Sequence, residues 1–401
     1  MPLFEPMVGE QPDVESVLPK CGSCGLKDGC LSPLMPVAGE GQRKVLIVGE
    51  APGEEEDKRG KPFVGPAGRT LRDVLGELDV DLDRDCWTTN SLICRPPNNA
   101  KPTNDRIGFC RPNLTRTIKE LQPCVIIPLG DSAIRSIVGP LWRQDTRTVG
   151  MWVGWQIPHV GTNVWICPTY HPSYVLRSQE AKNYEVIRLW FKLHLQRALS
   201  FQEQPYQTPP DYLSRVKVIY DSNQAAEHVR RLLAHGRAIS FDYETNRLKP
   251  DTVGAQIVCC AVSDGKQSIA FLWVGEVMEA MRELFVSDVP KIGYNCKFET
   301  RWTRKILGCD VNNWVWDGML SSHHLDCRPN ITSVKFQAFV RLGVDPWSER
   351  VAPYLKAADE RGFNRIKEVN KRELLMYCGL DALYELLVAK KQRKEMMYGS
   401  T

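Results

Sequence analysis

Gly49-Glu-Ala-Pro-Gly-Glu-Glu-Glu-Asp57, continued by Gly60-Lys-Pro-Phe63-Val-Gly-Pro-Ala-Gly68, directly follows the apolar run Val45-Leu-Ile-Val48. The run reads as a buried parallel strand. The twenty residues after it hold five glycines, three prolines and four consecutive acids, a composition unfit for a core. A segment that breaks secondary structure just past a strand's carboxyl end lies where open α/β sheets place their ligands. The stretch therefore reads as a binding site carried by an α/β sheet.

The 401 residues are too many for one ordinary core and predict two domains or three. With 43% hydrophobic and 25% charged residues the composition is that of a globular protein, and no apolar run approaches a membrane span. The acid-rich start, with Glu5, Glu10, Asp13 and Glu15, does not read as a signal peptide, which makes the cytoplasm the expected compartment. A net charge of +4 does not by itself demand a nucleic-acid partner. Fourteen cysteines in such a chain point to metal binding or burial rather than disulfides.

Around the opening stretch, β-rich runs at Lys44–Val48, Cys86–Asn90, Val125–Leu129 and Val164–Cys167 alternate with helical patterns at Ala67–Leu78, Asp105–Glu120, Ser132–Val138 and Lys182–Leu199. That alternation predicts a mainly parallel sheet flanked by helices. Residues 1–17 read as a flexible arm, 18–200 as the first domain, and the proline-rich 201–212 as a linker. A second α/β domain follows over 213–401. Its strands are expected at Val216–Tyr220, Ala238–Asp242, Gln256–Val262, Ser268–Leu272 and Lys291–Tyr294. Its helices are expected at Gln224–His235, Lys297–Lys305, Asp317–Leu325 and Lys371–Lys391.

Cys21-Gly-Ser-Cys24 has the spacing that turns two thiolates toward one metal, and Cys94 and Cys110 supply a second pair. Spacing leaves zinc and iron–sulfur equally open, and Cys30 is near enough to compete as a ligand. The Gly49–Asp57 and Gly60–Gly68 segments are followed in order by Thr89-Asn90-Ser-Leu-Ile-Cys94-Arg-Pro-Pro-Asn-Asn99, Leu129-Gly130 and Thr169-Tyr-His171-Pro-Ser-Tyr-Val-Leu-Arg177. With the cysteines, this series resembles the family 4 uracil-DNA glycosylases over residues 18–198. The resemblance implies a three-layer α/β/α fold and a 4Fe–4S cluster held by Cys21, Cys24, Cys94 and Cys110.

It also implies a pocket for an extruded uracil. Phe63 offers a flat face for stacking, and Asn90 an amide for the Watson–Crick edge. The backbone at Glu50, Ala51 and Pro52 lines the pocket, and His171 stabilises charge developing on the departing base. Glu50 is the expected group for positioning or activating water, with Glu56 second. Tyr174, Val175 and Leu176 form a candidate wedge into the duplex. A domain that senses uracil without cutting would keep the same Phe63 and Asn90, so a non-catalytic uracil- or template-binding module stands as the alternative.

In the second domain, Ala238-Ile-Ser-Phe-Asp242-Tyr-Glu244-Thr puts two acids at i and i+2, on one face of a strand. Tyr377-Cys-Gly-Leu-Asp381 puts a tyrosine and an acid on one helical face, and Asn295-Cys-Lys-Phe-Glu299 supplies a fourth acid. Four dispersed carboxylates suit two divalent cations acting on a phosphodiester, with Tyr377 orienting the attacking water. The set resembles the 3′–5′ proofreading exonuclease domain of family A DNA polymerases, in the DEDD superfamily. It implies an RNase H-like fold, two Mg2+ or Mn2+ ions held by Asp242, Glu244, Glu299 and Asp381, and single-stranded 3′ ends of DNA as substrate. Glu299 departs from that family's usual aspartate, and Asp317 reads as structural. The domain order resembles the N-terminal part of some phage DNA polymerases. The expectation is a DNA replication or repair protein of a bacterial or phage-infected cytoplasm, partnered by a separate DNA polymerase polypeptide.

Overall fold

The computed structural model describes residues 18–359 and 362–398. The segment read as a flexible arm, 1–17, lies outside the described residues. Contacts divide the chain between Gln207 and Thr208, inside the stretch read as a linker. The first part of that stretch packs on the first unit, with Phe201 stacked on Trp165 at 3.9 Å between ring centres. Among the described residues no helix is long and apolar enough to cross a membrane.

The first unit is built on β1 (Val45–Gly49), β2 (Cys86–Asn90), β3 (Val125–Pro128), β4 (Ile157–His159) and β5 (Val164–Ile166), ordered β2-β1-β3-β5-β4. All neighbours are parallel except β4 and β5, which are antiparallel. Every residue of β1 is buried, as a central strand covered on both faces requires. Val45 and Ile47 face a core with Leu71, Val74 and Leu75 from helix α2 (Pro66–Gly76) and Phe191 and Leu195 from helix α6 (Tyr184–Leu199). Helix α4 (Gly130–Ile137) also packs on β1 and β3. Helix α1 (Glu54–Arg59), helix α3 (Asn104–Leu121) and helix α5 (Pro172–Arg177) complete the unit around the site.

The sequence reading omits β4 and takes Glu54–Asp57 for part of a loop. Those acids instead fill the first turn of α1, where negative charge complements the helix N-terminus. Lys58 and Arg59 pair with Glu54 and Glu55 one turn back.

The second unit carries β6 (Val216–Ile219), β7 (Ile239–Thr245), β8 (Ile257–Ser263), β9 (Ser268–Leu272), β10 (Lys291–Gly293) and β11 (Trp314–Asp317), ordered β11-β10-β7-β8-β9-β6. The central β7-β8-β9 meander is antiparallel, and the flanking pairs are parallel, the arrangement expected of an RNase H-like domain. Phe241, Tyr243, Cys260 and Val262 point to one face, into a core shared with helix α7 (Ser222–His235) and helix α8 (Glu276–Val286). Cys259, Ala261 and Ala270 point to the other, which helix α12 (Lys371–Tyr398) crosses. Between these elements lie helix α9 (Cys296–Leu307), helix α10 (Gly318–Leu325) and helix α11 (Val334–Leu342). The sequence reading omits β11, α8 and α11.

The crossing of α12 is close at Gly379. A Cβ there would lie 2.3 Å from Val216 Cγ1 and 3.4 Å from the Ala270 methyl. Glycine within a helix ordinarily costs about 1 kcal/mol relative to alanine, so close approach explains its presence. Gly379→Ala is expected to lower the melting temperature despite its better helix propensity, and Val216→Ala in the same chain should recover most of the loss. A stabilised Gly379→Ala protein, followed by calorimetry, would contradict this account of the crossing.

Candidate active sites

In the first unit the parallel register places Gly49 beside Asn90, at the carboxyl ends of β1 and β2. A Cβ on Gly49 would lie 2.3 Å from Asn90 Oδ1 and 2.8 Å from Phe63 Cζ, so the amide and the ring converge where only glycine leaves room. Phe63 is buried and holds a φ of 57°, uncommon for a bulky aromatic and maintained by the surrounding loop. That loop is pinned by Glu56, whose two carboxylate oxygens accept from the Gly53 N–H at 3.1 Å and the Gly65 N–H at 2.7 Å. Glu56 is thereby a structural staple. Glu50 accepts from the Ser132 hydroxyl at 2.7 Å, which sets its carboxylate orientation from α4.

His171 caps α5. Its Nδ1 accepts from the Ser173 N–H at 3.2 Å and lies 2.7 Å from Ser173 Oγ. A ring nitrogen that accepts from a backbone N–H carries no proton, so the neutral tautomer has its proton on Nε2. Burial, helped by Arg177, pulls the His171 pKa down to about 4, so the imidazole is a neutral donor at ordinary pH. Of the proposed wedge, Val175 is fully buried in the core and unavailable. Tyr174 is 41% exposed and packs on Tyr170.

Cys21 and Cys24 occupy one short helical turn, Cys94 follows β2, and Cys110 lies in α3. All four line one small cavity with Leu26, Leu92, Ile93 and Phe109. Four thiols around one cavity suit a metal centre. The Leu34 N–H meets Cys94 Sγ at 3.3 Å and the Asn113 amide meets Cys110 Sγ at 3.6 Å, donors of the kind thiolate ligands need. Burial pushes the Cys94 thiol up to about 12, with Cys30 and Cys110 adding to the effect. Cys30 is thus a neighbour of Cys94, though not part of the cavity lining. Asp57 joins this region to the pocket, accepting from the N–H groups of Leu31 and Ser32 at 3.2 and 2.9 Å.

In the second unit Asp242 and Glu244 share the face of β7 that α12 covers. Each offers an oxygen within 4.8 Å of the other and of Asp381. Glu299 lies outside that trio. It is 2% exposed, its Oε2 has no hydrogen-bond partner, and Asp242 is close enough to raise its pKa further. Asp317 anchors α9 and α10, accepting from the N–H groups of Asn295, Cys296, Met319 and Leu320. Burial holds Tyr377 well above the usual phenol range, and Asp381 adds to the effect. The donor set, three clustered carboxylates plus a buried one with an orphaned oxygen, fits divalent cations.

Three side chains here were not legible in the sequence. Lys335 on α11 donates to Tyr377 Oη at 2.8 Å, and Trp347 Nε1 donates to Asp381 Oδ1 at 3.1 Å. Glu385, one turn beyond Asp381, is buried with an unpartnered Oε2 in the field of Asp242 and Glu299. Its i+4 spacing from Asp381 was the available signal. Lys335 and Trp347 belong to segments with no motif.

The end of the first sheet and the carboxylate trio of the second define a two-unit α/β protein with two candidate sites. Residues 36–194 match the Uracil DNA glycosylase superfamily, and residues 216–397 match a 3′-5′ exonuclease family. The type-4 uracil-DNA glycosylase of Thermotoga maritima is 38% identical over 162 residues, 40% of this chain and 80% of that protein. That of Saccharolobus solfataricus is 40% identical over 146 residues, 35% of this chain and 66% of that protein, just under two thirds of its length. The DNA polymerase of Bacillus phage SP01 is 25% identical over 338 residues, 73% of this chain and 34% of that protein. Through its first unit the chain belongs to the type-4 uracil-DNA glycosylase family, and its second unit is a 3′–5′ exonuclease domain.

Burial, first, and mutual repulsion, second, hold Asp242 and Glu244 well above the usual carboxylate range. Burial raises Asp381 as well, against the opposing charge of Lys335. Without cations the folded state therefore keeps protons that the unfolded chain loses near pH 4, so stability falls as pH rises above that value. In the presence of a chelator, the thermal transition of the second unit should fall as pH rises above about 4. Asp242→Asn should flatten the dependence, and a transition that rises with pH would contradict the assignment.

Proposed function

We propose that the first unit recognises uracil in DNA and excises it, and that the second removes 3′-terminal nucleotides from DNA by phosphodiester hydrolysis. The observation that carries the first half is the convergence of Asn90 and Phe63 on Gly49, with a neutral His171 on a neighbouring loop. An extruded base stacks on Phe63 while the Asn90 amide reads its Watson–Crick edge, with the backbone of Glu50, Ala51 and Pro52 as pocket wall. As the glycosidic bond breaks, His171 Nε2–H donates to the oxygen that gathers negative charge, and needs no change of protonation to do so. Glu50, oriented by Ser132, positions the water.

Cys21, Cys24, Cys94 and Cys110 would hold a 4Fe–4S cluster, which when bound clamps the N-terminal segment, the loop after β2 and α3 together. Asp242, Glu244, Glu299 and Asp381 would hold two Mg2+ or Mn2+ ions, which supply Lewis-acid activation and charge neutralisation at the phosphodiester. Tyr377 orients the attacking water. The similarity to a phage DNA polymerase supports a place beside DNA synthesis. In this reading the protein is a proofreading partner of a separate DNA polymerase polypeptide, in a bacterial or phage-infected cytoplasm.

Purified protein incubated with uracil-containing DNA should generate abasic sites. His171→Ala should slow this by about 10²–10³-fold, the usual loss for a preorganised charge-stabilising donor. The wild-type rate should show no inflection near pH 6.5, because His171 changes charge only near pH 4. Tighter binding to uracil-containing DNA with no abasic sites would instead make the domain a binding module. The purified protein should also be brown, and Cys24→Ser should bleach it. Colourless protein with stoichiometric zinc would refute the cluster.

A further inference from the structure

Lys335 stands in a fixed position at the edge of the carboxylate site. It lies in the first turn of α11, whose N-cap Ser333 accepts from the Phe336 N–H. Its ammonium is 2.8 Å from Tyr377 Oη and 3.6 Å from Asp381 Oδ1. The same nitrogen lies 4.8 Å from the centre of the Tyr377 ring and 5.3 Å from that of Trp347. Aromatic faces attract a cation held at such distances. The side chain is 22% exposed, so the charge is partly desolvated and its effect on neighbours is weakly screened.

Two consequences follow from donor chemistry. An ammonium has three donors and no acceptor, so Tyr377 Oη accepts from Lys335. The single phenolic hydrogen is then directed away from Lys335, with the Asp381 carboxylate within its reach, and a water entering between the two meets Tyr377 as a donor. Asp381 Oδ1, meanwhile, takes the Trp347 N–H and faces the Lys335 charge, which leaves its second oxygen for a divalent cation. Four carboxylates neutralise two such cations, and a further positive charge beside them weakens their hold on either.

We propose that Lys335 is a positioning residue of the nuclease site, which fixes Tyr377 as a hydrogen-bond donor to the attacking water while lowering the affinity of the carboxylates for divalent cations. The inference rests on the exonuclease reading for the first clause only. The site thereby trades metal affinity for a defined orientation of the nucleophile.

The test uses the full chain with Lys335→Met, Lys335→Arg, Tyr377→Phe and the Lys335→Met/Tyr377→Phe pair, each checked for folding by circular dichroism. On 3′-labelled single-stranded DNA, Lys335→Met should lower kcat about tenfold with KM within about twofold, the signature of an interaction that matters in the transition state. In the Tyr377→Phe background it should cost less than about twofold, because residues acting as a unit are not additive. Lys335→Arg should recover much of the rate. Independently, Mn2+ titrated without DNA should bind several-fold tighter to Lys335→Met than to wild type.

A raised KM with unchanged kcat, or independent losses in the double variant, would mean that Lys335 contacts substrate phosphate, and would overturn the proposal. Unchanged or weaker Mn2+ binding would overturn it too. If the wild type fails to shorten 3′ ends, the exonuclease reading falls, while the Mn2+ titration still decides the electrostatic half. Should Lys335→Met fail to fold, Lys335→Arg and Tyr377→Phe decide: a kcat loss in Lys335→Arg as large as in Tyr377→Phe would contradict a role carried by a donor charge.

Discussion

Asp242, Glu244 and Asp381 are held within 4.8 Å of one another, largely away from water. Like charges so placed oppose folding whenever they are ionised. The second unit is organised around keeping them there. The antiparallel register of β7 and β8 sets Asp242 opposite Ala261 and Glu244 opposite Cys259, small residues that let α12 come close. Gly379 then permits the approach that brings Tyr377 and Asp381 over that face. The Ser240 hydroxyl, donating to the Ala382 carbonyl at 2.5 Å, ties helix to strand beside the acids. On the opposite face the aromatic core of Phe241, Tyr243, Phe285 and Trp302 supplies burial free energy against the repulsion.

The first unit solves a different problem, that of holding separate side chains rigidly at the carboxyl end of its sheet. Its polar groups are fixed by neighbours rather than by burial alone: Glu50 by Ser132, His171 by Ser173, the Phe63 loop by Glu56. Such partners hold a site to the tolerance that recognition of one base demands. Strain at Phe63 is the local cost, and the loop around it is over-determined enough to bear it.

Much of this was legible in the sequence, because the informative segments break ordinary rules of composition. Asn90, Phe63 and His171 stand in order beside glycines and prolines, and Asp242 and Glu244 show the strand period directly. The failures have physical causes. Glu54–Asp57 looks like a solvated turn because four acids repel, yet the positive helix terminus and the following Lys58 and Arg59 make it α1. Val175 sits one residue from exposed Tyr174, and only the helical phase of α5 decides that it belongs to the core. Lys335 was missed with α11 itself. Phe336, Gln337, Ala338, Phe339 and Val340 are buried in succession, so the segment lacks the polar face at a 3.6-residue period that marks an amphipathic helix. Glu299 and Glu385 show that a buried acid is conspicuous in three dimensions and ordinary in one.

The tie from Asp57 to Leu31 and Ser32 belongs to a wider pattern in the first unit. Lys20 donates to the Phe109 carbonyl, Met35 to the Ile93 carbonyl, and Ala38 pairs with Thr88. Among the described residues these anchors of the segment from Lys20 to Ala38 all lie later in the chain. During synthesis this stretch is made before these partners: Asp57 is the first of them to follow, and those in and after β2 and in α3 come later. Its docking is therefore complete only once β2 and α3 exist, and Cys21 and Cys24 are made well before Cys94 and Cys110. Closure of the four-cysteine cavity thus depends on contacts between parts of the unit far apart in sequence.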